Sequence, residues 1–137
     1  MKSWLAICVV GVALCSCATA YQSEGLTGGF ADHPGPGKLE TVYFSGNGNT
    51  PAGVAQKYVL YRCAEISRDK GAPYFVIYDS LNAAIFSQPD NMPRVGVVQG
   101  KPVSYTFVLP LNAKRDGAKE TAAVLRELDR DVHGAPN

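Results

Sequence analysis

The sequence predicts an α+β fold, a single small domain in which a mixed sheet of about four strands carries two helices on one face, in the order β-α-β-β-β-α. Three observations predict this class. Apolar residues alternate in ETVYFS and PVSYTFVLP, PYFVIYD is apolar on both faces like a central strand, and two longer segments place apolar residues at helical spacing. These elements lie within residues 39–133, which form the predicted domain.

A glycine-rich turn separates the first predicted strand from the first helix. ETVYFS is followed by GNGN, and Thr50 then stands where a helix N-cap is expected, with Pro51 at the first helical position. Gly71 suits the position after the last turn, so the sequence predicts a helix over 51–70. A strand at 73–79 follows, and the order strand, helix, strand predicts a parallel pair joined by a right-handed crossover.

The second half of the chain predicts a hairpin and a C-terminal helix. The strands RVGVV and PVSYTFVLP flank a turn at Gly100, and AAIF before them indicates a short extra strand. Alternation in the second hairpin strand predicts one dry and one wet face. The dry face would hold Val103, Tyr105, Phe107 and Leu109, and the wet face Ser104 and Thr106. Residues 118–132 have apolar side chains three or four apart, which predicts the last helix.

The first sixteen residues have the three parts of a bacterial export signal. Lys2 supplies a basic start, residues 4–14 an apolar core, and small residues precede the expected cleavage point. The apolar core is about half the length that a helix needs to cross a bilayer. We therefore expect the segment to be removed and not to span the membrane.

The letters LCSC at 14–17 resemble the lipobox of bacterial lipoproteins, in which small residues precede the cysteine that becomes the new N-terminus. This resemblance implies that residues 1–16 are a lipoprotein signal peptide and that Cys17 receives a diacylglycerol thioether and an acylated amine. The fatty acyl chains of these groups, which include palmitate in many lipoproteins, would make release from the membrane negligible. Because Ala18 replaces the aspartate typical of inner-membrane retention, the resemblance implies the periplasmic side of the outer membrane. The alternative is an ordinary secretory signal cut after Ala18 or Ala20.

The composition separates a tether from the domain. Residues 17–38 are rich in glycine and proline without a regular period, which predicts a lipid-anchored tether with a few docking residues, and 134–137 form a short tail. The whole chain has 13 basic and 12 acidic residues, and loss of Lys2 would leave 12 of each with no long run of one sign. We therefore expect no nucleic-acid partner, and the expected membrane contact is the lipid on Cys17.

The turn between the first strand and helix is the candidate ligand site. Its order of strand, turn and helix is that of phosphate-binding loops, but the third glycine of a dinucleotide motif and the Gly-Lys-Ser/Thr of a P-loop are absent. Capping of the helix explains the same residues. The candidate site comprises Gly46, Asn47, Gly48, Asn49 and Thr50.

No catalytic constellation is visible in the sequence. His33 and His133 stand a hundred residues apart without companion ligands, so neither a metal nor another cofactor is predicted. Cys63 lies in the apolar stripe of the first helix and is interpreted as a buried small side chain. Glu65 and Asp79 are the candidates for a carboxylate pair, which only a hydrolase would need.

Four segments resemble a family of small uncharacterised Gram-negative lipoproteins that begin Cys-Ala-Thr-x-Tyr-Gln: CATAYQSEGLTGGFAD, VYFSGNGNTP, YVLYRCAEI and GAPYFVIYDS. The likeness covers about residues 17–80 and implies an envelope lipoprotein with no assigned reaction. Cys63 stands where alanine is expected, in keeping with a packed side chain. The matches in the tether allow part of it to dock on the domain, and they are Tyr21, Gln22, Gly28, Gly29, Phe30 and Asp32.

These observations predict a lipid-anchored, non-catalytic module that faces the periplasm from the outer membrane and contacts another protein of the cell envelope. The alternative is a binder of a small ligand or anion that uses the turn at 46–50 and nearby tyrosines. A hydrolase with paired carboxylates is the third hypothesis.

Overall fold

Six strands form one sheet, and two long helices cover one of its faces in the computed structural model, which describes residues 17–134. The expected signal peptide at 1–16 and the last three residues of the expected tail lie outside the described residues. The elements in chain order are β1 (Gly29–Pro34), β2 (Glu40–Ser45), α1 (Ala52–Asp69), β3 (Tyr74–Tyr78), α2 (Leu81–Ile85), β4 (Arg94–Val98), β5 (Lys101–Leu111), β6 (Lys119–Glu120) and α3 (Thr121–His133). The predicted α+β class is confirmed.

The sheet is organised around its longest strand, β5. The strand order is β1-β2-β5-β3-β6, and β4 pairs with the first half of β5 on the side where β3 pairs with its second half. Every pair of these strands is antiparallel. The two strands that α1 connects, β2 and β3, run in the same direction as predicted, but their predicted pairing is wrong, because β5 lies between them. The sheet has six strands where about four were expected.

Helix α1 lies in the predicted place, but its N-terminus differs in detail. The helix begins one residue later than expected, at Ala52, and Pro51 occupies the N-cap position without a side-chain cap. The predicted cap, Thr50, is buried and uses its hydroxyl elsewhere, as described below. The buried face of α1 packs against β2, β3, β5 and α3, with Val59 and Cys63 wholly inaccessible to solvent. This layer contains the main core.

The predicted faces of β5 are reversed. Ser104 and Thr106 are fully buried beside Val108 on the face that the helices cover, while Tyr105 on the other face is 40% exposed. The buried hydroxyls donate to the carbonyls of Arg94 and Tyr78 over 2.7 and 3.0 Å. Both polar groups are thereby satisfied within the sheet, which makes their burial inexpensive. Alternation alone identified two faces but not which one meets the helices.

The other face of the sheet has a smaller apolar cluster beneath α2. Val76 and Tyr78 from β3 pack there with Ala83 from α2 and with Phe107 and other half-buried residues. The short strand expected at AAIF is wrong, because the Ser80 side chain accepts a hydrogen bond from the Ala83 amide over 3.1 Å and caps a five-residue helix instead.

The glycine-rich segment assigned to a tether contributes an edge strand. β1 runs along β2 over six residues, with Phe30 opposite Phe44 and Pro34 opposite Glu40. A strand at an edge needs partners on one side only and tolerates proline at its end. Residues 29–34 are therefore part of the domain, and the tether expected over 17–38 is docked along much of its length.

Candidate functional site

Four of the five backbone amides in the predicted ligand turn, residues 46–50, donate hydrogen bonds within the protein. The amides of Asn47 and Asn49 donate to the Thr50 hydroxyl over 3.1 Å and to the Asn47 side chain over 2.9 Å. The first amide of the turn donates to the Pro102 carbonyl over 2.9 Å, and the Thr50 amide donates to the Asn47 carbonyl over 3.1 Å. Four amides that an anion would use are thus already engaged.

Cys17 and this turn, which the sequence presented as two separate sites, lie side by side. The Asn47 side-chain amide donates to the Cys17 carbonyl over 2.7 Å, and the Thr19 amide donates to the Thr50 hydroxyl over 3.0 Å. Thr19 is buried, whereas Cys17 is exposed. The turn therefore holds the chain's own N-terminal segment and leaves the Cys17 side chain at the surface.

Two glycines allow close backbone contacts here, Gly28 with β2 and Gly29 with the N-terminal segment itself. Gly28 has a φ of 94°, and a Cβ there would lie 2.2 Å from the backbone oxygen of Ser45. Gly29 has a φ of 140°, and its Cβ would lie 2.5 Å from the Gln22 oxygen. Only a residue without a side chain fits such positions. The Gly-Gly pair in the sequence is thus explained by a backbone contact and requires no ligand.

The N-terminal segment is fastened to α1 by a cluster that we call the clasp, formed by Tyr21, Phe30, Asp32, Arg62 and Glu65. The Tyr21 ring lies 4.8 Å from the Phe30 ring and 5.4 Å from each of two tyrosine rings on α1, at positions 58 and 61. Tilted and edge-on contacts of this kind are favourable for aromatic rings. The clasp thus adds an aromatic layer to the outer side of the core.

The polar half of the clasp closes a charged network around Arg62. Its guanidinium bonds to Asp32 over 2.9 Å and to Glu65 over 3.2 Å, and it lies 4.7 Å from the centre of the Phe30 ring. Partial burial alone would lower the pKa of Arg62, but the hydrogen bonds to the two carboxylates raise it above its ordinary value. The Tyr21 hydroxyl donates to Glu65, and burial together with this bond raises the pKa of Tyr21.

The two cysteines among residues 17–134 have opposite environments. Cys17 is exposed, and Cys63 is wholly buried within α1. Burial raises the pKa of the Cys63 thiol, while the charge of Arg62 opposes the shift only in part. A thiol that stays protonated and has no access to solvent does not act as a nucleophile at neutral pH. Cys17 is therefore the accessible sulfur of the pair.

The histidines and the two proposed acids do not converge on one site. His133 contacts Asp129 over 3.0 Å, whereas His33 stacks on Tyr43 at 6.0 Å between ring centres. Glu65 belongs to the clasp, and Asp79 pairs with Arg94 near the end of β3. Within the described part of the chain, no group of three histidine, cysteine or acidic side chains is arranged to hold a metal.

A cavity of 320 Å³ lies beneath α2, on the sheet face that α1 and α3 do not cover. Its walls are mainly apolar, and its polar end is formed by the Tyr78 hydroxyl, which accepts a hydrogen bond from Arg115 over 2.6 Å. No pattern in the sequence indicates this cavity, because the cavity depends on residues of α2 and of the loop before β2 coming together. The apolar lining residues are Pro36, Leu39, Leu81, Ala84, Ile85 and Leu109.

Comparison with known proteins provides no basis for assigning a function, which must be argued from the residues of the chain itself. No protein-family model matches the sequence, and neither a curated protein nor a solved structure is significantly similar to it. Across residues 17–134, no helix combines the length and apolar character needed to cross a membrane.

Proposed function

We propose that the protein is a lipid-anchored, non-catalytic component of the cell envelope, attached through Cys17 to the periplasmic side of the outer membrane. The observation that carries the proposal is the position of Cys17. Its carbonyl is bonded to Asn47 at the domain surface while its side chain is exposed. An acyl-modified sulfur needs such exposure, and the LCSC motif supports modification of this residue.

The contacts after Cys17 support a mature chain that starts there. Thr19 is buried within two residues of the anchor, and Tyr21 enters the aromatic clasp. Removal of residues 1–16 would free the amine of Cys17 for acylation without disturbing the segment that follows.

The proposed role is to present a fixed surface to another envelope protein. The clasp residues Asp32, Arg62 and Glu65 bond to one another, so they fasten the N-terminal segment and are not aimed at a substrate. Their engagement supports a structural function for this charged cluster. Membrane attachment would come from the lipid, and the protein partner would meet a domain held at the bilayer.

Radioactive palmitate labelling of growing cells tests the anchor. We expect the wild-type protein to incorporate label and remain with the outer membrane, and the Cys17→Ala variant to lose both label and membrane retention. Cys63→Ala is the matched control, because it removes the buried sulfur and should keep the label. Retention of the Cys17→Ala protein on membranes would contradict the proposal.

The second candidate function is binding of a small apolar ligand, and the cavity beneath α2 is the observation that favours it. A volume of 320 Å³ with apolar walls and one polar end is within the usual range for ligand sites. Anilinonaphthalene sulfonate, an apolar anion, is the probe. Its fluorescence should rise saturably with the wild-type domain and fail to rise with Ala84→Phe, which fills the cavity, while Ala122→Phe, at an exposed position of α3 that borders a different cavity, behaves like the wild type. Equal signals from all three proteins would remove this candidate.

A further inference from the structure

The tip of the β4–β5 hairpin carries apolar side chains that nothing in the domain covers. Val97 is 71% exposed and Val98 is 58% exposed. Gln99 and Gly100 both have positive φ angles, so the two strands turn tightly directly after these valines. Exposed valines at a hairpin tip add little to the stability of the fold, because their side chains remain in water.

Another exposed apolar residue lies at the same end of the molecule as the two valines. Leu26, in the turn before β1, is fully exposed. It lines a shallow cavity of 210 Å³ together with Asn47 and Lys101. Because Lys101 pairs directly with Val98 across the hairpin, their side chains share one face, and together with Leu26 they form a surface that we call the apolar tip: Leu26, Val98 and Lys101. Val97 pairs with Pro102 and points to the opposite face of the hairpin.

The apolar tip is also the end at which Cys17 leaves the fold. Asn47, which lines the shallow cavity, donates its side-chain hydrogen bond to the Cys17 carbonyl. The amide next to it in the turn is bonded to the Pro102 carbonyl at the start of β5. The proposed anchor and the exposed apolar residues therefore converge on one side of one turn.

We infer that the apolar tip lies on the lipid surface, with Leu26 and Val98 in the interfacial layer and Lys101 among the headgroups. This inference rests on the lipid anchor proposed above, since acyl chains on Cys17 bring the bilayer to this end of the domain. Apolar side chains beside a lysine suit a membrane interface, where acyl chains lie beneath anionic headgroups. Glu24 is the acid that lines the same cavity, and it accepts a hydrogen bond from Tyr43.

Tryptophan substitution tests the orientation, because the only tryptophan of the chain is Trp4 in the expected leader. The lipidated Val98→Trp protein is reconstituted in vesicles of phosphatidylethanolamine and phosphatidylglycerol with brominated acyl chains. Leu26→Trp is the second reporter. Ile85→Trp is the matched control, because Ile85 is 74% exposed but lies far from the apolar tip. Ile85 lines the same cavity as Leu109. Leu109 is eight residues along β5 from Lys101, a distance of about 27 Å.

We expect bromine to quench the tryptophans introduced at Val98 and Leu26 and to leave the one at Ile85 unquenched, with a blue-shifted emission for the first two. Circular dichroism of each variant verifies the fold, and mass spectrometry of the N-terminal peptide verifies lipidation. Lipidated protein whose reporters at Val98 and Leu26 both escape quenching, or are quenched no more than the reporter at Ile85, overturns the inference. An unmodified Cys17 in the natural host refutes the proposed anchor instead, so the two failures are distinguishable.

Discussion

The aromatic half of the clasp gives the sharpest test of whether the N-terminal segment belongs to the folded domain. Replacing Tyr21 by alanine removes ring contacts to Phe30, Tyr58 and Tyr61. Truncation of a fully buried aromatic residue costs about 3–5 kcal/mol, and each ring pair contributes about 0.5–1.5 kcal/mol of stabilisation. Because the Tyr21 side chain is only partly buried, we expect the lower end, about 3 kcal/mol.

The conservative change Tyr21→Phe separates the ring from the hydroxyl. It keeps the packing and removes the hydrogen bond to Glu65, which retains its bond to Arg62. Loss of a hydrogen bond whose partner keeps another costs about 1 kcal/mol. The two variants should therefore differ by about 2 kcal/mol in the free energy of unfolding.

Urea titration of a Cys17→Ala protein produced without residues 1–16, followed by far-ultraviolet circular dichroism, measures both effects. With a denaturant slope of about 1.5 kcal/mol per M, the Tyr21→Ala midpoint should fall by about 2 M. Leu26→Ala is the control, because this residue belongs to the same segment but is fully exposed and should change stability by less than about 0.5 kcal/mol. If Tyr21→Ala lowers the midpoint no more than Leu26→Ala does, the segment is a free tether and the clasp is not part of the fold.

Three further predictions concern the same part of the molecule. Gly28→Ala should cost about 2 kcal/mol or more in thermal unfolding, because its Cβ would meet the Ser45 backbone at a positive φ; unchanged stability would contradict the close approach. In a Cys17→Ala protein produced without residues 1–16, Cys63 is the remaining cysteine, and its thiol should react with Ellman's reagent only after denaturant is added; fast reaction of the native protein would exclude the observed burial. Because folding raises the pKa of Tyr21, mainly through burial, its contribution to stability is complete below about pH 10 and declines above it, where the unfolded side chain ionises first. Titration of stability from pH 8 to pH 11 should therefore show a steeper decline for the wild type than for Tyr21→Phe, and equal slopes would disprove the linkage.

The elements that the sequence predicted best are those with a strong local signal. Helix α1 has apolar residues at helical spacing over eighteen residues and a glycine after its end, and the β4–β5 hairpin has two alternating strands around a glycine turn. Such patterns depend on neighbours a few residues apart. Both elements were found where they were expected.

The elements that were missed depend on partners far along the chain. Strand β1 is built from a glycine-rich segment and is held by pairing of Phe30 with Phe44 and by the bond between Asp32 and Arg62, thirty residues away. The burial of Ser104 and Thr106 likewise follows from hydroxyl bonds to carbonyls on other strands. Composition and alternation contain no information about these contacts, so the tether and the reversed face of β5 were natural errors.

The candidate site was predicted residue by residue but not as an arrangement. Cys17 and the turn at 46–50 were both singled out, yet their hydrogen-bonded contact joins positions thirty residues apart. An asparagine in a turn is explained equally well by the turn itself. Only the structure shows that Asn47 serves both the turn and the segment that follows the proposed anchor.

The hydrogen bond between Asn47 and Cys17 also limits how far the domain could move from its membrane attachment point. A flexible, unbound linker of twenty-two residues would let a domain move roughly 25 Å from its attachment point. Because the segment is bonded to the domain at its first residue, the proposed lipoprotein would stay against the bilayer surface. It would reach little farther into the periplasm than the height of its own domain. Any partner would then have to be a neighbour in the same membrane, or reach down from across the periplasm to meet it.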